Sequence, residues 1–151
     1  MEKINHKIVI GIGLVFNKSG EILIDQRAQG SFMAGMWEFP GGKQENSESI
    51  KETIQREILE ELAIQVEVGE HLVSINHSYA DKELHFVVHF CDWVSGYPQP
   101  LASQKFLWVR PEELVNFSFP AANARMIDSL YQYLDRKNIS NLKKKTKSPE
   151  I

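Results

Sequence analysis

Glu57, Glu60 and Glu61 stand at i, i+3 and i+4 within the stretch IKETIQREILEEL. At about 100° per residue they fall within an arc of roughly 100° on one helix face. Carboxylates that close repel one another, and isolated helices avoid such clusters. Taken alone, a charge run of this kind is usually a solvated face. The neighbours change that reading. Pro40-Gly41-Gly42 lies upstream, and glycine lets backbone approach a ligand closely because no side chain stands in the way. Arg56, four residues before Glu60, can pair with it and orient it. Hard divalent cations such as Mg²⁺ take oxygen ligands, commonly a few carboxylates plus substrate phosphates, and a main-chain carbonyl also serves. With Arg27 on a neighbouring strand, these residues outline a phosphate–metal site. Metal ions there would neutralise a polyphosphate and activate a water for attack on phosphorus. One glutamate could serve as general base.

Placing those groups takes a helix and the strands around it. Ser49 and Glu52 form an S-x-x-E capping box, so the helix starts near Ser49. Ile50, Ile54, Ile58 and Leu62 make an apolar stripe beside the glutamates, which docks the helix on a core and leaves its carboxylates along one edge. Lys7–Phe16, KIVIGIGLVF, reads as a buried strand. Its Gly11 and Gly13 are not a dinucleotide fingerprint, because a strand-like run and the turn Asn17-Lys18-Ser19-Gly20 follow instead of a helix; they read as close-packing glycines. Glu21–Arg27 alternates and is expected to pair with the first strand as a hairpin. Ala28–Met36 is a loop, and Trp37–Phe39 is a short strand ended by Pro40-Gly41-Gly42.

Val66–Tyr79 reads as a strand with a bend at Gly69. A turn over Ala80–Glu83 leads to a partner strand, Leu84–Val94, and Lys105–Val109 is the last strand. Pro111–Val115 is a helical turn with proline first. Ala121–Lys137 is a second amphipathic helix with Met126, Ile127, Leu130, Tyr131 and Leu134 on one side. From Asn138 the chain turns polar and basic, with Lys143, Lys144, Lys145 and Lys147, and a poorly ordered solubilising tail is expected. Contact of that tail with RNA or membrane is the alternative. The class is α+β, a mixed sheet with helices on its faces, organised as a domain over 1–137 and a tail over 138–151.

At 151 residues the chain can bury one sizeable core. Its net charge of −3 argues against a surface that coats nucleic acid. The lone cysteine, Cys91, excludes an internal disulfide and fits a reducing compartment; in its apolar run it reads as a buried structural thiol. No apolar stretch would span a bilayer, and the N-terminal MEKINHKIVIGIG lacks signal-peptide character, so a cytoplasmic protein is expected. A monomer or weak dimer is the expected state. His85 and His89, four apart on a strand, lie roughly 13 Å apart and read as sheet-surface residues rather than ligands of one metal.

The spacing around the glutamates resembles a known family. The Nudix box is G-x5-E-x7-R-E-U-x-E-E-x-G-U, with U a bulky apolar residue. Gly42, Glu48, Arg56, Glu57, Ile58, Glu60, Glu61 and Ile64 fall in register. The order of segments along Lys7–Leu130 looks like the MutT branch, which removes oxidised guanine nucleotides from the pool and so avoids mutation during DNA replication. Phe119-Pro120-Ala121-Ala122-Asn123 is similar to that branch's F-P-x-A-N segment, whose asparagine reads the oxidised base. Arg27 and Phe39 match positions that contact the nucleotide. The resemblance implies the Nudix fold, with a mixed sheet between helices. It implies Mg²⁺ or Mn²⁺ held by Glu57, Glu60, Glu61 and the Gly41 carbonyl, with Arg56 in the catalytic set. It implies hydrolysis of 8-oxo-dGTP to 8-oxo-dGMP and pyrophosphate.

Departures and alternatives accompany the match. Ala63 stands where the box has glycine; if the backbone there keeps φ > 0, alanine costs about 1 kcal/mol. The Leu101–Lys105 loop has no acid, where MutT-like proteins often carry a glutamate near the metals. That leaves Glu57, Glu60 and Glu61, with Glu38 beside the glycine pair as a further candidate. Asn123 could instead merely cap or begin the last helix, and Phe39 could be ordinary core. A Nudix hydrolase of another nucleotide, ADP-ribose or a dinucleoside polyphosphate is the alternative enzyme. A silent nucleotide-binding module is the alternative of another class, although such modules would be expected to have lost box glutamates.

Overall fold

The strands that read as a hairpin part company after one residue pair. The structure is a computed structural model that describes residues 6–146, and the side chains of residues 7–140. Strands β1 (His6–Phe16) and β2 (Ile22–Arg27) meet only at Phe16 opposite Ile22. Beyond that point β1 runs parallel to β6 (Lys82–Ser95), from His6 opposite Lys82 to Phe16 opposite Asp92. β2 turns instead to β7 (Ser103–Val109), antiparallel. Two short strands fill the fork. β3 (Trp37–Glu38) pairs with β2, and β4 (Gly41–Lys43), unforeseen from the sequence, pairs with β1. β5 (Gln65–Tyr79) closes the far side against β6. The seven-stranded sheet is therefore mixed, as the α+β reading requires.

Alternation along the strands divides the core into two layers. Ile12, Leu14, Ile22 and Ile24 join Met126, Ile127 and Leu130 of helix α2 (Ala121–Thr146). Val15 and Leu23 face the other way, onto Ile54, Ile58 and Leu62 of helix α1 (Ile50–Leu62). Gly11 and Gly13 belong to the α1 face. A Cβ on Gly13 would lie 2.7 Å from Ile58 Cδ1 and 3.1 Å from Cys91 Sγ, so these are close-packing glycines. Cys91 is buried, and that burial pushes its thiol up to about 12.

Helix α1 begins with the expected capping box: the Glu52 amide donates to Ser49 Oγ at 3.1 Å, and the Ser49 amide donates to Glu52 Oε1 at 3.0 Å. It ends at Ala63, which holds φ 58° and ψ 30°, the left-handed conformation that favours glycine. The loop before β7 satisfies carbonyls of the last turn: Gln99 N–H donates to Leu62 O at 2.9 Å, and Leu101 N–H to Glu61 O at 3.0 Å.

Several boundaries differ from the sequence reading. The bend in β5 appears as register shifts between Val68 and Val73, around Gly69 as expected. The following turn is only Ala80-Asp81, and β7 starts at Ser103 rather than Lys105. α2 does not stop at Lys137 but runs to Thr146. Polarity alone does not end a helix, and N-I-S-N-L-K-K-K-T contains neither glycine nor proline while lysine and leucine are good helix formers. Residues 147–151 of that tail lie outside the described residues. His85 and His89 sit on the β5–β6 surface, donating through Nδ1 to Asn76 Oδ1 at 2.6 Å and to Gly69 O at 2.8 Å.

Candidate active site

Arg56 organises the outer edge of α1. Its Nε and Nη2 donate to the two Glu48 oxygens at 2.6 and 3.0 Å, a bidentate pair. Nη1 donates to Glu57 Oε1 at 3.0 Å and to Glu60 Oε2 at 3.3 Å, and Nη2 also reaches Lys43 O at 3.0 Å. One guanidinium thus ties the helix to β4 and to the loop after it. The Arg56 guanidinium, then the Glu45 amide, hold Glu48 down at about 2. Glu60 is the outermost of the three helical carboxylates, with 59% of its side chain exposed against 18% for Glu57.

The inner edge is different. Glu61 Oε2 accepts from the Gly41 amide at 3.3 Å. Burial first, then the nearby Asp25 carboxylate, push Glu61 up to about 9. Burial and Glu38 push Asp25 up to about 8. Glu38 is also raised by burial, opposed by Arg27, whose Nη1 lies 2.7 Å from Glu38 Oε2. The glycine pair makes this approach possible: a Cβ on Gly42 would run into the Glu57 carboxylate, and one on Gly41 into Gly11 O.

Among the described residues, no three His, Cys, Asp or Glu side chains converge at ligand spacing. Glu57 and Glu60 turn toward Arg56, and Glu61 toward the Gly41 amide. The chemistry of the donor set still fits a hard divalent cation. It is all oxygen, it has a bare backbone beside it, and among the described residues neither Glu61 nor Asp25 has an ion-pair partner.

The residues expected to meet substrate divide into two groups. Arg27 stands beside the carboxylates, bound to Glu38 and through Nε to Phe32 O at 2.7 Å. Phe39 is only 2% exposed, with its ring stacked on Phe119 at 5.4 Å, so it supports the site from within the core. Asn123 lies in the first turn of α2 and is 9% exposed, and its amide makes no hydrogen bond among the described residues. It begins the helix rather than capping it, as the Ala124 amide donates to Pro120 O. The segment before Asn123 is tied to β3 by Trp37 N–H donating to Ser118 O at 2.9 Å and by Trp37 packing edge-on to Phe117. A surface hollow of about 500 Å³ is lined by Lys7, Ile8, Val9 and residues 43–48, and so lies off the inner carboxylates.

Sequence reasoning missed Asp25, which passed as one polar position in an alternating strand. Its phase was the available signal. It shares a face with Leu23, and that face is buried against α1.

A forked mixed sheet between two helices, with a glycine pair against a helical row of carboxylates, defines a Nudix domain. The chain belongs to that family: the NUDIX domain model matches residues 11–129. More narrowly, it is a Nudix hydrolase of the MutT type. It is 31% identical to an 8-oxo-dGTP diphosphatase of Haemophilus influenzae, over 82% of this chain and 90% of that protein. It is 30% identical to the CTP pyrophosphohydrolase of Escherichia coli, over 82% and 91%. Among solved structures it is similar to the E. coli ORF135 protein (TM-score 0.76, 29% identity, 85% of this chain and 91% of that one). It is equally close in fold to a MutT protein of Methanosarcina mazei (TM-score 0.76, 27% identity, 91% and 99%). Nudix hydrolases generally use divalent metal ions and act on small-molecule nucleotides. No described helix is long and apolar enough to cross a membrane.

Proposed function

We propose that this protein hydrolyses 8-oxo-dGTP to 8-oxo-dGMP and pyrophosphate with Mg²⁺, or Mn²⁺ in its place, and so cleans the cytoplasmic nucleotide pool. The observation that carries the reading is Asn123, a residue only 9% exposed in the first turn of α2, at the end of an F-P-A-A-N segment. An amide offers one acceptor and two donors. Guanine presents two acceptors, O6 and N7, along its outer edge. Oxidation at C8 places a hydrogen on N7, so the edge becomes acceptor and donor. The amide then pairs twice with the oxidised base, whereas the ordinary base leaves its carbonyl unmatched.

The Gly41 carbonyl and Glu57, Glu60 and Glu61 would hold the cation, which when bound neutralises phosphate charge and acidifies a water. Arg56 fixes Glu57 and Glu60 in orientation. Water adds to a phosphorus of the triphosphate, the phosphoanhydride bond breaks, and pyrophosphate leaves. A carboxylate of the set takes the proton that the water gives up. Arg27, held by Glu38, borders the same edge and offers positive charge to the phosphates. All box glutamates are present, which speaks against a silent binding module.

The similarity to a CTP pyrophosphohydrolase favours a second reading, in which an ordinary nucleoside triphosphate is the substrate. The test is kcat/KM with Mg²⁺ for 8-oxo-dGTP, dGTP, CTP, the other triphosphates and ADP-ribose. Preference for 8-oxo-dGTP is expected, and Asn123→Ala should cut the 8-oxo-dGTP to dGTP ratio about tenfold or more. A wild-type preference for CTP, or an equal loss on both guanine substrates, would remove the assignment.

A further inference from the structure

The group that the reaction scheme leaves unused is Asp25. Its surroundings follow from strand phase. On β2, Leu23 faces α1 and Ile24 faces α2, so Asp25 is directed to the α1 side. Glu38 on β3 lies directly opposite Asp25, a like-charge pair that a sheet ordinarily avoids. From the α1 side Glu61 approaches, held by the Gly41 amide. Asp25 is 3% exposed, and among the described residues its Oδ1 has no hydrogen-bond partner. Ser103, on β7 opposite Arg27, carries another buried oxygen without a partner among the described residues. The nearby cations are already engaged: Arg27 on Glu38, Arg56 on Glu48, Glu57 and Glu60.

An unpaired buried carboxyl is costly, and removing one oxygen's charge or supplying a cation are the ways to relieve it. Relief by neutrality alone would make Asp25 a packing residue with no reason to be an acid, since an amide or small apolar side chain would fill the same space. Its carboxylate lies on the α1 side of β2, near enough to raise Glu61, which the Gly41 amide holds at the glycine pair, and that supplies a reason. We propose that Asp25 is an additional ligand of the divalent-cation seat, reaching the metal from the strand side together with Glu61. This rests on the reading of that edge as a cation site, and assigns it a carboxylate outside the helical motif.

The test titrates the nucleotide-free protein with Mn²⁺, reading free Mn²⁺ by electron paramagnetic resonance, for wild type and Asp25→Asn. The amide keeps the shape and removes the charge. Affinity should fall about tenfold or more, while melting temperature without metal should hold or rise. Asp25→Ser provides the same comparison should the amide variant fail to fold. Wild-type affinity in the folded variant would overturn the role of Asp25 and leave the hydrolase reading standing. No Mn²⁺ binding by the wild type would overturn the cation seat itself, and Asp25's role with it.

Discussion

Ala63→Gly should make this protein more stable, and the size of the gain can be worked out. Ala63 ends α1 with φ 58° and ψ 30°, and its amide donates to Leu59 O at 2.9 Å. A left-handed conformation costs an L-residue roughly 1–2 kcal/mol. Glycine removes that cost but gives about 0.4–1 kcal/mol to the unfolded chain as extra freedom. The net expectation is about 0.5–1 kcal/mol in favour of glycine. With an unfolding entropy near 2.1 cal/mol/K per residue, a chain of this length gains roughly 2–3 °C in Tm. Thermal unfolding followed by circular dichroism resolves that shift, with urea unfolding as an independent check. Ala63→Val serves as the opposite control, because a β-branched residue is a worse fit to positive φ and should lower Tm. A Tm for Ala63→Gly at or below wild type would show that the left-handed cap is not held in solution. Turnover should stay near wild type in the glycine variant, since Ala63 contributes no side-chain ligand.

Gly13→Ala should destabilise by about 1–3 kcal/mol, because the new Cβ meets Ile58, Cys91 and Ile54 at 2.7, 3.1 and 3.1 Å; an unchanged urea midpoint would show that α1 can move away. Glu57→Gln should abolish hydrolysis with the circular dichroism spectrum intact, and near-wild-type turnover would sink the carboxylate-face assignment. Glu48 gives a pH test. Its folded value, about 2, lies below the unfolded value of about 4.3, so the Arg56 clamp stabilises fully above the latter and is lost as pH falls through the former. Wild type should therefore lose stability between pH 4.5 and 2 more steeply than Glu48→Gln, and parallel curves would refute the clamp.

Local patterns carried most of the site. The capping box, the apolar stripe and the box spacing are short-range signals, and α1, its start and its carboxylate row followed from them. Partners distant in sequence did not. Alternation in Glu21–Arg27 showed a strand but not that β7 and β3, rather than β1, would pair with most of it. Asp25 escapes for the same reason: its phase puts it on the face of Leu23, but that this face is covered depends on α1, far along the chain. Asn123 was legible as a candidate from its segment, whereas its unpartnered amide is a property of the packed structure. The end of α2 lies beyond the point where the sequence turns polar and basic, because such composition does not by itself end a helix.

The parallel union of β1 with β6 has a kinetic consequence. Every pair in it joins residues far apart in the chain, from His6 with Lys82 to Phe16 with Asp92. Such pairing closes a long loop before its contacts repay the lost entropy, which slows folding. On a ribosome, β1 emerges early and must wait for the whole of β6 before its open edge is covered. Until then its apolar face and unpaired backbone form a surface that chaperones would recognise.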